Sequence, residues 1–322
     1  MTRPRLLITG ANGFVGRALV SQALLAATWQ VTASARSQAP DHHGAKRAVV
    51  GDLDADTNWH KAVAGVDAIV HTAARAHIMC DSAADPLSEY RRVNVEGTLN
   101  LARQAIDAGV RRFIFISSIK VNGERTQSRP YTADDTPAPV DPYGISKFEA
   151  EEGLRHIARV SGLEVVIIRP VLVYGPGVKA NFHTMMRWLY RGVPLPLGAI
   201  QNKRSLVAVE NLVDIILTCA RHPAAANHTF LVSDGEDLST PELLLRLSAA
   251  LGRPAKLYKI PVRLLDTGAR ALGRRDAAQR LCGSLQVDIG KTRELLGWVP
   301  PASVDASLKR TAQHFLENLR SR

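Results

Sequence analysis

The feature that most constrains this fold is a glycine-rich turn near the start of the chain. Residues Thr9–Gly16 read TGANGFVG, directly after the apolar run Leu6–Ile8 and before an amphipathic stretch. Glycines in such a strand–turn–helix leave backbone amides open to a diphosphate, and the helix N-terminus adds partial positive charge. A glycine triplet alone also serves steric needs at helix entries, but this context favours a dinucleotide site. The residues expected to contact the dinucleotide here are Gly10, Asn12, Gly13, Phe14, Val15 and Gly16.

Short apolar runs alternate with helical patterns over the first two-thirds of the chain. This alternation predicts a parallel sheet with right-handed crossovers, and hence an α/β fold with a doubly wound Rossmann sheet. After Pro170 the pattern gives way to proline and glycine turns, which predict a smaller mixed α/β C-terminal lobe for the substrate. We place the dinucleotide-binding lobe at residues 1–172, with part of 205–230 returning to it, and the substrate lobe at 173–322.

Composition excludes several other classes of protein. The 322 residues include 46% apolar and 22% charged side chains, as in ordinary soluble globular proteins. The net charge is +11, yet the basic residues are scattered and aromatics make up only 5%, so no nucleic-acid partner is expected. We see no signal peptide, no apolar run of roughly 18 residues and no cysteine pattern for disulfides or metal. These features predict a cytoplasmic protein without a metal or a membrane partner.

Ser34 and Arg36 lie at the end of the second predicted strand. In dinucleotide-binding sheets an acidic residue at this point, about 20 residues past the glycines, binds the ribose 2′-hydroxyl of NAD. This stretch has no carboxylate, and a guanidinium suits a 2′-phosphate. The sequence therefore favours NADP(H), with NAD as the alternative; a solvated loop arginine is the other interpretation of Arg36.

Two further strand ends belong to the expected cofactor site. Asp52 and Leu53 close the third strand, where a carboxylate would accept a hydrogen bond from the adenine amino group, although Asp52 also fits an ordinary turn. Thr72, Ala73 and Ala74 close the fourth strand, and their small side chains leave room for the cofactor.

Tyr143 and Lys147 form a YxxxK pair whose spacing places both side chains on one face of a helix. A ketone–alcohol conversion moves a proton at oxygen while hydride moves at carbon, and an ammonium lowers the phenol pKa from its ordinary value of about 10. Ser118 follows the fifth strand, at the edge where parallel sheets bind ligands, and would orient the substrate oxygen. An ordinary strand-end turn is the alternative interpretation of the serine. We therefore expect Ser118, Tyr143 and Lys147 to be catalytic, and the last two also to contact the cofactor.

Taken together, the motifs resemble the extended short-chain dehydrogenase/reductase family, in its sugar-nucleotide epimerase, dehydratase and reductase branch. The resemblance covers essentially the whole chain and includes the following segments: Thr9–Gly16, Gly51–Leu53, His71–Ala74, Asn94–Thr98, Ser117–Ser118, Tyr143–Lys147 and Arg169–Gly177. It implies that Lys147 holds the nicotinamide ribose and that Pro170 contacts the cofactor. It also implies a UDP-sugar substrate and a homodimer.

The resemblance extends to substrate residues. Asn181 and Arg204 match the family's diphosphate contacts, and Arg280 matches a second such arginine more loosely; surface solvation is the alternative for both arginines. Lys120 adds a cation beside the sugar. Asn122 stands where the family usually has tyrosine, in Val-Tyr-Gly.

The leading hypothesis is a reductase of UDP-4-keto-hexoses in surface polysaccharide biosynthesis, because NADP suits net reduction and the motifs resemble bacterial 4-ketoreductases. The close alternative is a UDP-hexose 4-epimerase acting on UDP-glucose or UDP-N-acetylglucosamine, which would use the same residues to take and return hydride. A non-catalytic dinucleotide-binding protein is the remote alternative. A dehydratase would need an acidic pair after the serine, where this chain has Ile119 and Lys120.

Overall fold

A seven-stranded sheet forms the centre of the protein in the computed structural model, which describes residues 3–37, 44–76, 85–271 and 281–320. Its strands are β1 (Arg5–Thr9), β2 (Gln30–Ala35), β3 (Lys46–Val49), β4 (Ala68–His71), β5 (Arg112–Ile116), β6 (Glu164–Pro170) and β9 (Thr229–Val232). They run in the order β3-β2-β1-β4-β5-β6-β9, and all neighbours are parallel.

Both faces of this sheet are buried. Leu6 and Ile8 pack in one core layer, whereas Leu7, Ile69 and Phe113 pack in the other, and all five are fully buried. Successive strand residues point to opposite faces, so strands covered on both sides have continuous apolar sequences rather than alternating ones.

Helices cover the sheet on both sides. One layer contains α1 (Phe14–Leu25) and α7 (Val209–Cys219), which contact each other, and the other contains α4 (Gly97–Asp107) and α5 (Pro142–Ser161). The predicted Rossmann fold class is confirmed. Two short helices complete this part of the chain, α2 (His60–Val63) and α3 (Pro86–Tyr90).

A widened helical turn joins α3 to α4. Residues Arg91–Glu96 form a π-helix, so α3 continues into α4 through an expanded turn. Such turns often mark functional sites, and this one contains the buried Asn94.

The smaller lobe is built on a three-stranded mixed sheet in the order β10-β8-β7. Its strands are β7 (Leu172–Tyr174), β8 (Arg204–Ala208) and β10 (Asp237–Leu238), and its helices are α6 (Ala180–Tyr190), α8 (Thr240–Ala250), α9 (Val262–Ala271), α10 (Gly290–Leu296) and α11 (Val304–Arg320). Ser239 and Glu242 form a capping box at the start of α8. Although β9 follows β7 and β8 in sequence, it lies in the main sheet beside β6. The lobe boundary at residue 172 stays a prediction.

Among the described residues, no helix is both long and apolar enough to cross a membrane.

Candidate active site

The glycine turn lies against the end of β4. Gly10 has φ +65°, and a Cβ on it would lie 2.7 Å from the backbone nitrogen of Ala73. A Cβ on Gly16 would overlap the carbonyl oxygen of Gly10. Helix α1 then begins with Gly13 as its N-cap and without a side-chain capping bond. A close-fitting backbone turn that leads into an uncapped helix N-terminus fits a dinucleotide diphosphate.

Hydrogen bonds hold the two walls of this turn together. The Thr72 hydroxyl donates to the carbonyl of Thr9 at 2.6 Å, and the Ala73 amide donates to the Thr9 hydroxyl at 3.2 Å. Ala74 is half-buried at the same strand end, and Phe14 and Val15 are half-buried at the start of α1, whereas Asn12 is exposed. The structure therefore brings the predicted diphosphate residues together around the N-terminus of α1.

At the end of β2, where the cofactor's ribose is expected, the surroundings of Ser34 and Arg36 differ from those that the sequence suggested. Ser34 is buried inside β2, and its carbonyl accepts the amide of Ala11 at 3.1 Å. Arg36 is exposed, and its guanidinium lies 3.4 Å from the Asp52 carboxylate. A carboxylate is thus close to Arg36 after all, supplied by the segment that follows the neighbouring strand β3.

Of the other two predicted cofactor residues, Leu53 is half-buried and Pro170 is buried. Leu53 faces the start of α4, where a Cβ on Gly97 would lie 2.8 Å from its Cγ. Pro170 ends β6 and pairs with Val232 of β9.

Ser118, Tyr143 and Lys147 meet where β5 ends and α5 begins. Ser118 caps the 3-10 turn after β5, where its hydroxyl accepts the Lys120 amide at 3.2 Å, and it lies close enough to Tyr143 to act on the pKa of the phenol. The ammonium of Lys147 lies 6.0 Å from the centre of the Tyr143 ring. It also donates to the carbonyl of Ile116 at 2.9 Å. The arrangement suits proton transfer at an oxygen held by Ser118 and Tyr143.

Burial controls the electrostatics of this group. The pKa of Tyr143 is raised by burial, then by the Asp141 carboxylate and by Tyr90, while the Ser118 hydrogen bond acts in the opposite direction. Burial lowers the pKa of Lys147 to about 7, and the charge of Glu151 opposes that change. Within the protein alone the phenol is therefore neutral, and positive charge brought close to it favours the phenolate.

His71 connects this group to the glycine turn, although the sequence analysis gave it no role. Its imidazole bonds the hydroxyls of Thr9 at 2.8 Å and Thr98 at 3.0 Å. Burial, followed by the charge of Lys147, lowers the pKa of His71 to about 3. The ring is thus a neutral support that holds the ends of β1 and β4 against α4.

A buried ion pair supports the helix that carries Lys147. Glu151, one turn further along α5, binds the guanidinium of Arg169 through two hydrogen bonds of 2.9 and 2.5 Å. It also accepts the Ser117 hydroxyl at 2.5 Å. Arg169 in turn donates to Asn122 at 2.9 Å. The YxxxK motif gave no sign of this carboxylate; the i+4 spacing from Lys147 was the available signal.

The buried Asn94 links the segment that follows β4 to helix α5. Its amide oxygen accepts the backbone N–H of Arg75 at 2.8 Å, and its amide nitrogen donates to the Ser146 hydroxyl at 3.0 Å. Tyr90, at the end of α3, packs edge-on against Tyr143 with ring centres 6.0 Å apart.

The predicted substrate residues occupy different environments. The ammonium of Lys120 pairs with Asp141 and with Glu124 at 2.8 Å. Arg204 is half-buried at the start of β8 and donates to the Gly283 carbonyl at 3.0 Å; burial lowers its pKa, and the charge of Glu124 acts in the opposite direction. Asn181 is exposed in the first turn of α6. Arg280 lies outside the described residues.

The glycine turn and the Ser–Tyr–Lys group define a dinucleotide-dependent enzyme of the Rossmann class. The chain belongs to the NAD dependent epimerase/dehydratase family, whose model matches residues 6–233. It is 50% identical to the UDP-glucose 4-epimerase of Vibrio cholerae over 314 residues, which cover 97% of this chain and 95% of that protein.

Solved structures share the same fold. The UDP-glucose 4-epimerase of Thermotoga maritima with UDP-glucose has a TM-score of 0.79 at 23% identity and covers 98% of this chain and 99% of its own. The UDP-glucuronic acid 4-epimerase of Bacillus cereus in complex with NAD has a TM-score of 0.79 at 19% identity, covering 97% and 96%.

The prediction of a UDP-4-keto-hexose reductase in surface polysaccharide biosynthesis is wrong. The relative that is 50% identical over 97% of the chain is a 4-epimerase, which favours the alternative. The physical reason for the error is that the predicted catalytic residues Ser118, Tyr143 and Lys147 would serve either reaction. The residues at the end of β2 concern the cofactor's ribose, and they do not determine whether hydride stays on the product.

Proposed function

We propose that this protein is a UDP-hexose 4-epimerase that inverts the hydroxyl at C4 of UDP-glucose or UDP-N-acetylglucosamine. One observation carries the proposal: Ser118, Tyr143 and Lys147 come together at the carboxyl end of the same sheet as the glycine turn, with the ammonium of Lys147 6.0 Å from the centre of the Tyr143 ring. The identity of 50% with the Vibrio cholerae UDP-glucose 4-epimerase supports the choice of substrate.

In the proposed mechanism, Ser118 holds O4 of the hexose and Tyr143 accepts its proton, so that C4 becomes a ketone as hydride leaves the carbon. When bound, the nicotinamide ring supplies the acceptor and donor of that hydride. The sugar then presents its other face, and Tyr143 returns the proton to O4 as C4 is reduced. Below about pH 7, where Lys147 keeps its proton, its ammonium supplies the positive charge that favours the phenolate, because an ammonium close to a phenol lowers its pKa.

The rest of the substrate would be held in the smaller lobe. Arg204 is a guanidinium at a partly buried position, which suits charge-assisted bonds to a diphosphate. Asn181, at the start of α6, is the second proposed diphosphate contact. Arg280 stays a prediction from the sequence.

For the cofactor's 2′ substituent we retain NADP(H) as the proposal, with NAD as the alternative. The Arg36 guanidinium would pair with a 2′-phosphate, whereas the Asp52 carboxylate, 3.4 Å away, would accept a bond from a 2′-hydroxyl. The Arg36–Asp52 pair is an exposed one, which holds neither group strongly. Mass spectrometry of the dinucleotide released from denatured protein decides the point: NADP(H) supports the proposal, and NAD(H) alone refutes it.

We also propose a cytoplasmic homodimer, and light scattering of the purified protein would measure its mass.

The experiment that tests the proposed function uses purified protein with UDP-glucose, and separately with UDP-N-acetylglucosamine, followed by proton NMR. The C4 epimer should accumulate to equilibrium without added reductant. Consumption of NADPH by a 4-keto sugar, without interconversion of either UDP-hexose, would refute the proposal.

A further inference from the structure

Lys120 contacts both the Ser118 hydroxyl and Asp141, the residue that caps α5. Its backbone amide donates to the Ser118 hydroxyl at 3.2 Å, while its ammonium pairs with Glu124 at 2.8 Å and with Asp141. The side chains of Lys120 and Asp141 are only 20% and 21% exposed. The sequence had suggested a cation facing the sugar, but two carboxylates already hold this ammonium.

The contact between Lys120 and Asp141 matters because Asp141 also caps the helix that carries Tyr143. One of its carboxylate oxygens accepts the Gly144 amide at 2.7 Å and so caps α5, the helix on which Tyr143 lies. The other oxygen pairs with Lys120. One lysine side chain therefore ties the turn that carries Ser118 to the helix N-terminus that carries Tyr143.

We propose that Lys120 is a positioning residue of the epimerase site: its ion pair with Asp141 fixes the Ser118 turn against the start of α5 and neutralises the Asp141 carboxylate, two residues from Tyr143. The activity part of this inference rests on the proposed function. The positioning part rests on contacts within the chain alone.

The second part of the proposal, neutralisation of Asp141, follows from the charge that Tyr143 must carry. Tyr143 must carry negative charge when it accepts a proton, and a bare carboxylate two residues away opposes that charge. The ammonium of Lys120 offsets it. Among the described residues, the charged and titratable groups around Tyr143 and the Lys120 pair include the following: Asp141 at the N-cap of α5 and Lys147 on it, Tyr90 on α3 with the Arg75 guanidinium 5.4 Å from its ring centre, Lys120 and Glu124 after β5, and Arg204 of β8, on which the charge of Glu124 acts.

Three variants separate fixing the turn from neutralising the charge. Lys120→Met keeps the aliphatic stem and removes the ammonium, whereas Lys120→Arg keeps the positive charge. In the double variant Lys120→Met with Asp141→Asn, asparagine still caps α5 but carries no charge.

The first measurement is the pH dependence of kcat for UDP-hexose interconversion. Lys120→Met should move the limb that reports ionisation of Tyr143 upward by about one pH unit, which is about tenfold in rate below that limb. Adding Asp141→Asn should return the limb toward its wild-type position, and Lys120→Arg should leave it there. A Lys120→Met profile that overlays the wild type, or a shift that Asp141→Asn does not reverse, would overturn the charge role.

The second measurement needs no substrate. Hydrogen–deuterium exchange should become faster in peptides that cover residues 138–146 in Lys120→Met and in the double variant, but not in Lys120→Arg. Unchanged exchange in Lys120→Met would overturn the positioning role. A wild-type enzyme that turns over neither UDP-hexose would refute the proposed function, while the exchange data would still decide whether Lys120 fixes the turn.

Discussion

Lys147 should make the stability of this protein depend on pH in a defined window. Burial lowers its pKa from 10.5 to about 7 in the folded protein. The unfolded chain therefore keeps a proton on this lysine between about pH 7 and 10.5, where the folded protein has released it. Because the unfolded state binds more protons there, the free energy of unfolding rises with pH across that window.

The size of the effect follows from the shift. Each pKa unit corresponds to about 1.4 kcal/mol, so the full displacement amounts to at most about 5 kcal/mol. Lys147→Met removes the titrating group. The stability of the wild type relative to this variant should therefore increase by several kcal/mol between pH 7 and pH 10, with the variant favoured most at low pH.

Urea unfolding of both proteins at intervals from pH 6.5 to 10.5 measures this difference. Lys61→Met, on the exposed surface of α2, is the matched control and should give a difference that does not change in the same window. A constant difference between wild type and Lys147→Met over the whole range would refute a desolvated lysine at this position.

Three other substitutions test the site. Tyr143→Phe should lower kcat by roughly 10² to 10⁴, because it removes the proton acceptor, while calorimetry should still detect UDP binding; an active variant would exclude Tyr143 from proton transfer. Gly10→Ala should weaken dinucleotide binding at least tenfold, since its Cβ would lie 2.7 Å from the Ala73 nitrogen, whereas Gly109→Ala, at φ +74° with open space around it, controls for backbone strain alone. Glu151→Gln should lower the free energy of unfolding by about 3 kcal/mol, as the buried guanidinium of its partner loses its counter-charge, and unchanged thermal unfolding would show that this ion pair is unimportant.

The parts of the site that are local in sequence could be predicted. The glycine turn lies within eight consecutive residues, and the spacing of Tyr143 and Lys147 on one helix is a property of the helix itself. The central strands of the main sheet, such as β1 and β5, could also be predicted from local sequence, since burial on both faces leaves continuous apolar runs.

Contacts between distant segments could not be predicted in this way. The sequence placed Asp52 in the cofactor site but not beside Arg36, because the two residues come from the ends of neighbouring strands that only the fold brings together. Glu151 and Arg169 pair across a helix and a strand. The sequence did single out Lys120, as a cation two residues after Ser118. Its partner Asp141 is 21 residues further along the chain, and only the fold brings the two together.

The sequence could not show whether the enzyme reduces or epimerises its substrate, and the reason for this is different. Reduction and epimerisation of a UDP-hexose require the same proton transfer at O4, so Ser118 and Tyr143 do not distinguish them. In epimerisation, the 4-keto sugar turns its other face toward the site and is reduced again before it is released.

The most direct test of the central claim follows the hydrogen at C4. UDP-glucose deuterated at C4 is incubated with purified enzyme without added NADPH, and the product is analysed by NMR and mass spectrometry. The proposed mechanism predicts UDP-galactose that keeps deuterium at C4, because the hydride that leaves is the one that returns. Loss of the label to solvent, or its stoichiometric transfer to added NADP with a 4-keto sugar left behind, would contradict the mechanism.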